Sequence, residues 1–199
     1  MVWPTRRTTT TGWSCAYTHS PIVQPCALLS WHPVNDRILV ARLRHRFGIL
    51  AVVVVYAPTN EASPSVKDDF YQTLESAMLL TKTNDLVICL GDFNAITGPR
   101  STTPGPVGLF GSGSANDNSD RFVSFCEGAQ LRIAGSWFRR KDIHRYTWFS
   151  NDGRTCKEID HILVNRRWSA VTNCRVYRKL EFNAVIHWVP VILSEFLCR

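Results

Sequence analysis

Residues 49–57 read Ile-Leu-Ala-Val-Val-Val-Val-Tyr-Ala, the longest purely apolar run in the chain. Nine residues are too few to cross a bilayer, which needs about 20. β-Branched side chains lose rotamer freedom in a helix and pack well on a pleated surface, so the run is predicted to be a strand. It is continuous rather than alternating, which predicts burial on both faces. A strand covered on both sides requires layers above and below it. That points to an α/β domain, with two sheets packed face to face and helices outside.

The neighbouring sequence fits this frame. Arg37 to Phe47 alternates: Leu39, Ala41 and Leu43 against Arg42, Arg44 and Arg46. This pattern predicts a half-exposed strand, joined through Gly48 to the buried one as an antiparallel hairpin. Pro58 ends the second strand. Ser63-Pro64 reads as an N-cap and first helical residue, followed at helical spacing by Val66, Phe70, Leu74, Ala77 and Met78. Asp85 to Leu90 is predicted as a buried strand ended by Gly91. Residues 97–118 are predicted as a long loop, and Phe122, Phe125, Cys126 and Ala129 mark a second helix. Leu131–Ala134, Arg145–Phe149, Glu158–Val164, Ala170–Val176 and His187–Leu193 are short strand candidates. Residues 1–33, broken by Pro4, Pro21, Pro25 and Pro33, are expected to be an irregular leader. Residues 34–199 are expected to form one domain.

The chain carries a net charge of +7 over 199 residues, unevenly spread. Residues 1–62 hold +4, residues 63–136 hold −3 and residues 137–199 hold +6. A basic surround with an acidic middle suits a carboxylate site set in a phosphate-attracting surface, with solvated charged faces as the plain alternative. Seven cysteines lack any C-x-x-C pair or metal-finger spacing, so reduced thiols in an intracellular protein are expected. No opening apolar segment suggests a signal peptide, and no run is long enough for a membrane helix.

Three segments could carry chemistry. In Asn84–Gly98 a buried strand delivers Gly91, then Asp92 and Asn94 two residues apart, which strand periodicity would point the same way. Asp92 can bind a hard cation or accept a proton from water. Asn94 can donate to a phosphate oxygen. Gly91 permits close approach of substrate or backbone. The same residues also suit a simple strand-ending turn. In Lys157–Val164, Asp160 and His161 interrupt an apolar strand, and a carboxylate there needs a partner or a metal unless the edge is half-exposed. Tyr56 could lend a phenol to a site, or simply cap the core.

Read in order, V-V-V-Y-A-P, L-G-D-F-N-A, Y-T-W-F-S, E-I-D-H-I-L-V and a late His187 resemble the endonuclease/exonuclease/phosphatase family. Within it the chain is most similar to endonuclease domains of LINE-type retrotransposons and to craniofacial development protein 2-like sequences. The resemblance implies a DNase I-like two-sheet sandwich that hydrolyses phosphodiesters with a divalent metal, usually Mg²⁺, and DNA as partner in a nuclear setting. By the same resemblance Tyr56 contacts phosphate, Asp92 orients or deprotonates the attacking water, and Asn94 positions that water or binds phosphate. Asp160 orients His187, which stabilises the transition-state phosphate. Thr147 and Trp148 shape the DNA-facing rim, while Arg139, Arg140, Lys141, His144 and Arg145 supply phosphate contacts.

Two departures set further expectations. The family opens on a strand bearing Asn and another bearing a metal-binding Glu, whereas Asp36 is the only acid before Tyr56. The domain is therefore expected to be incomplete at its N-terminus, leaving a sheet surface for a missing segment or a partner. The family closes on Ser/Thr-Asp-His, whereas this chain has Ala184-Val185-Ile186-His187, with Ile186 at the aspartate position. Weak or absent turnover is expected, because members of such a site act as a unit. The alternatives are a catalytically dead nucleic-acid-binding remnant, a non-functional fragment, and a phosphatase of small phosphoesters.

Overall fold

A computed structural model describes residues 27–45, 48–98, 105–165 and 171–176. Eight strands and two helices follow in chain order: β1 Ala27–Pro33, β2 Ile38–His45, β3 Gly48–Tyr56, α1 Pro64–Met78, β4 Leu86–Asp92, α2 Asp117–Gly128, β5 Arg132–Ile133, β6 Trp148–Phe149, β7 Cys156–Lys157 and β8 Asp160–Val164. Six of the strands form one sheet in the order β1-β2-β3-β4-β8-β5, and β6 and β7 form a separate ribbon.

The apolar run is β3, at the middle of the sheet. It pairs antiparallel with β2, as the hairpin reading requires, and parallel with β4. The parallel step is made possible by α1, which crosses over between the two strands. Ser63 caps α1 by accepting from the Val66 N–H at 3.5 Å, and Pro64 stands where a missing N–H costs nothing. Phe70, Tyr71, Leu74 and Ala77 of α1 and Phe122, Phe125 and Cys126 of α2 bury one face of the sheet over Ile38, Val40, Val53, Val55, Cys89 and Leu163. The opposite face carries Leu50, Val52, Ile88 and Leu90, packed with Leu43, Val54, Leu86 and Ile162. Both faces of β3 are thus apolar and packed. The architecture is α/β, with the multistranded sheet and flanking helices of a DNase I-like fold. Among the described residues one sheet is large, and its companion is the β6–β7 ribbon.

Several sequence expectations are corrected. Residues 27–33 are not irregular: they form β1, antiparallel to β2, so the leader reading extends at most to residue 26, and residues 1–26 lie outside the described residues. Proline does not prevent this because Pro33 sits at the strand's end. In β2 the buried residues are Ile38 and Val40, on the arginine side, while Leu39, Ala41 and Leu43 are half-buried. The helices cover that side, and Arg42 is accommodated there by a two-pronged pair with buried Asp85 (2.8 and 3.1 Å). Gly91 does not end β4, which continues to Asp92. Residues 134–137 turn into a short 3₁₀ segment instead of prolonging a strand, and 142–144 form another. Residues 171–176 are irregular. His187–Leu193 lies outside the described residues.

Gly91 has φ +146°, and a Cβ built there would run into the Val55 carbonyl oxygen across the β3–β4 ladder. The close approach that this glycine permits is therefore backbone on backbone. Gly91→Ala should lose about 3 kcal/mol of stability in urea unfolding, because the strands must separate or the residue must adopt a strained conformation. A change within about 0.5 kcal/mol, as at an ordinary surface site, would contradict this packing.

Candidate functional site

The pairing register of three strands sets three candidate residues side by side. Tyr56 at the end of β3 lies opposite Asp92 at the end of β4. Asp92 lies opposite Asp160 at the start of β8. Strand alternation puts all three on the face of Val54, Leu90 and Ile162. They line one cavity of about 810 Å³, together with Thr147, Arg140 and Arg145. Asp160 and His161 alternate, so His161 faces the helices. The residue is 4% exposed, and its ring stacks on Phe122 at 4.9 Å and donates from Nε2 to the Ala95 carbonyl at 2.8 Å. Burial lowers its pKa. His161 is a core histidine whose ring is satisfied on the helix-covered side.

The two carboxylates are electrostatically coupled. Burial pushes Asp92 up to about 6, helped by the nearby Asp160 charge and opposed by the Asn94 N–H that donates to its Oδ1 at 2.8 Å. Asp160 is also raised, first by burial, against a lowering hydrogen bond with Thr147 and the His161 ring. Asp160 Oδ1 is buried with no hydrogen-bond partner among the described residues. The Thr147 hydroxyl accepts from the N–H groups of Ile159 and Asp160, both at 3.2 Å, and so fixes the start of β8. Tyr56 is 51% exposed, at the rim.

Asn94 behaves differently from its sequence reading. β4 has ended, and Asn94 adopts φ +48°, a left-handed conformation that asparagine tolerates. It does not continue the strand alternation with Asp92. Its side-chain N–H donates to the Ala57 carbonyl at 3.0 Å, and its own carbonyl accepts from Asn116 and Asn118 at 3.0 and 3.1 Å. Asn118 also donates to the Pro58 carbonyl at 3.0 Å. Asn94 therefore ties together the loops after β3 and β4 and aims its N–H at Asp92. The loop reading of residues 97–118 misses the roles of Asn116 and Asn118. The signal is their Asn-x-Asn spacing at a helix start, where side chains meet backbone groups. Sequence reasoning also misses Arg37. It lies over the Tyr56 ring at 5.3 Å and donates to the Tyr56 carbonyl at 3.3 Å. The signal is its place one residue before β2, whose pairing sets Ile38 opposite Val55.

The basic residues divide into two groups. Arg139 and Lys141 are exposed, and Trp148 is 40% exposed with Lys157 over its ring at 5.5 Å, its cross-strand partner. These suit a nucleic-acid surface. Arg140, Arg145 and His144 do not lie on that surface. Arg140 pairs with Glu158 at 2.7 Å, its side chain 4% exposed. Arg145 donates to the Phe110 carbonyl at 3.1 Å. His144 exchanges hydrogen bonds with Val176, through its ring at 3.0 Å and its carbonyl at 2.9 Å. Each has a polar partner within the fold, which the sequence alone cannot show. His187 and Ile186 lie outside the described residues.

The sequence matches the endonuclease/exonuclease/phosphatase family over residues 3–180. The chain belongs to this family. It is 34% identical over 142 residues to craniofacial development protein 2 of Bos taurus and of Tragulus javanicus, covering 71% of this chain. The chain spans about a quarter of those relatives, 24% and 25%. Among solved structures it resembles the 3′ phosphatase NExo from Neisseria, bound to a product DNA hairpin. That match has a TM-score of 0.55 and 21% identity over 80% of this chain and 68% of the other. It also resembles the endonuclease domain of TRAS1, a telomere-specific non-LTR retrotransposon (TM-score 0.51, 14% identity, 72% and 57% covered). Both likenesses support the DNase I-like fold.

The Asp92 environment gives a pH prediction. A carboxylate raised in the folded state holds its proton more tightly there than in the unfolded chain. Its contribution is full below about pH 4, the unfolded value, and is lost as pH rises through about 6. Asp92→Asn should therefore raise Tm at pH 7.5, with the gain shrinking toward pH 4. A gain of equal size at both pH values would contradict the burial of the ionised group.

Proposed function

We propose that this chain binds the phosphodiester backbone of DNA at the Tyr56–Asp92–Asp160 row and hydrolyses it weakly or at background. The family supports nucleic-acid phosphodiester hydrolysis as the ancestral chemistry, and the TRAS1 likeness favours a retroelement origin. The observation that carries the reading is the register itself, which sets an exposed phenol and two coupled carboxylates along one cavity wall. Asp92, with a pKa of about 6, is largely ionised at neutral pH and suited to accept a proton from water. Tyr56 presents its ring at the rim, where a phosphate would arrive. His187 is the residue proposed to stabilise developing phosphate charge, with Asp160 orienting it. A nuclear setting follows from DNA as the substrate.

Low turnover is proposed on residue chemistry. Ile186 stands where the family's closing aspartate belongs, and Ile can neither bind a metal nor accept a proton. Among the described residues, no group of three His, Cys, Asp or Glu side chains could hold a metal ion. Asp36 and Glu158 also line the cavity, but among the described residues no third carboxylate joins Asp92 and Asp160 in a metal-holding group. This set does not complete a Mg²⁺ centre, and no step here is routed through one. Loss of such partners typically costs several powers of ten in rate, about 10³ or more.

The second reading, a DNA-binding remnant without turnover, is favoured by the exposed Arg139, Lys141 and Trp148. Two measurements test the two claims, weak turnover and DNA binding. Supercoiled plasmid with Mg²⁺ should be nicked at background, unchanged by Asp92→Ala. Robust nicking abolished by Asp92→Ala would overturn the weak-turnover claim. Duplex binding should weaken with salt, and Arg139→Ala with Lys141→Ala should flatten the log Kd against log salt slope by about two, as released counterions require. A salt-independent affinity would overturn DNA binding.

A further inference from the structure

Lys67 lies in the first turn of α1 and is 2% exposed. A cation there opposes the positive end of the helix dipole, and burial adds a desolvation penalty. The fold compensates it with partners from two separate segments. Nζ donates to the Asn60 carbonyl at 2.6 Å, in the loop after β3, and to Asp117 Oδ2 at 2.7 Å, at the start of α2. Both partners sit beside the groups that hold Asn94. Asn60 follows Ala57 and Pro58, whose carbonyls accept from the side chains of Asn94 and Asn118. Asp117 lies between Asn116 and Asn118, which both donate to the Asn94 carbonyl. Asn94 in turn donates its backbone N–H to Asp92 at 2.8 Å, from a left-handed conformation at φ +48°. The ammonium therefore grips the two segments that meet at Asn94. Arg121 also ties α2 to α1, through Asp117 at 3.1 Å and Asp68 at 2.7 Å, and both of these partners are helical.

We propose that Lys67 is a positioning residue for Asp92: by joining Asn60 to Asp117 it holds Asn94 left-handed, with its N–H aimed at the carboxylate. Clamping the helices together does not require a buried cation, because Arg121 does so from a partly exposed position. What Lys67 adds is the carbonyl of the loop after β3. A lysine suits this bridge, since its three N–H donors point in different directions and can serve a carbonyl and a carboxylate at once. The role rests on the reading of Asp92 as the group that accepts a proton from water. The Asn94 N–H lowers Asp92 against the burial that raises it. A loosened Asn94 would leave more of Asp92 protonated at neutral pH, and so less of it able to accept a proton.

The test is amide hydrogen exchange with carboxyl ¹³C titration, in the full chain and in Lys67→Met, which keeps the length of the side chain and removes its charge. The Asn94 amide should exchange about tenfold faster or more, relative to the amides of β3 and β4, because the opening is local. Asp92 should titrate higher than in the unaltered chain, above about 6. Asp117→Ala changes a side chain that is 56% exposed, so it serves where Lys67→Met does not fold, and it should move both readouts in the same direction. Arg121→Ala should leave both as they are in the unaltered chain. Unchanged Asn94 exchange and Asp92 titration in the folded variants would overturn the proposal. Equal acceleration of all amides, or the same shifts from Arg121→Ala, would also overturn it, since a plain helix clamp accounts for either. Neither readout depends on turnover. The expected shifts in a chain whose DNA affinity is salt-independent would keep the role of Lys67 and overturn the DNA reading. Salt-dependent DNA binding without the shifts would keep the DNA reading and overturn the role of Lys67.

Discussion

The parallel pairing of β3 with β4 is the constraint on which the rest depends. It places Val55 over Gly91, a contact with no room for a side chain, and so sets Tyr56 level with Asp92. The antiparallel pairing of β8 then brings Asp160 level with both. A slip of one residue would send each of these side chains to the helix-covered face. Apolar packing on both faces of β3 and β4 makes that slip expensive. Burial of the sheet thus supplies both the stability of the fold and the alignment of its polar ends.

The same burial creates the chemistry. Two carboxylates placed side by side at the margin of an apolar sheet are desolvated and repel each other. Both are raised, and one carries an oxygen with no hydrogen-bond partner among the described residues. Such an arrangement persists only when the surrounding structure over-determines it. Here the determinants are Asn94 in its left-handed conformation, held by Asn116 and Asn118, and Thr147 at the start of β8. The residues that confer reactivity stand at the ends of regular strands, while loop residues such as Asn94 and Thr147 fix their surroundings.

Much of this is legible in the sequence. The β-branched run marks β3, and Ser63-Pro64 marks the start of α1, because local sterics and capping decide both. The motif L-G-D-F-N-A and the later I-D-H-I-L-V identify Asp92 and Asp160. Pairing between distant segments is what cannot be read. Nothing local to Arg140 says that Glu158 lies across from it, and nothing local to Arg42 says that Asp85 will receive it. Periodicity assigns the wrong side of β2 to the core, since a charged residue on a buried face is invisible without its partner. Strand alternation misreads Asn94, because asparagine after a strand end readily turns left-handed.

The central claim is that Asp92 and Asp160 share one desolvated wall. Carboxyl-detected ¹³C NMR titration of Asp92, in the chain and in Asp160→Asn, tests this directly. Asp92 should titrate at about 6 in the unaltered chain and lower once the Asp160 charge is removed. An Asp92 carboxyl that titrates near 4 in both proteins, roughly the unperturbed value, would contradict the claim.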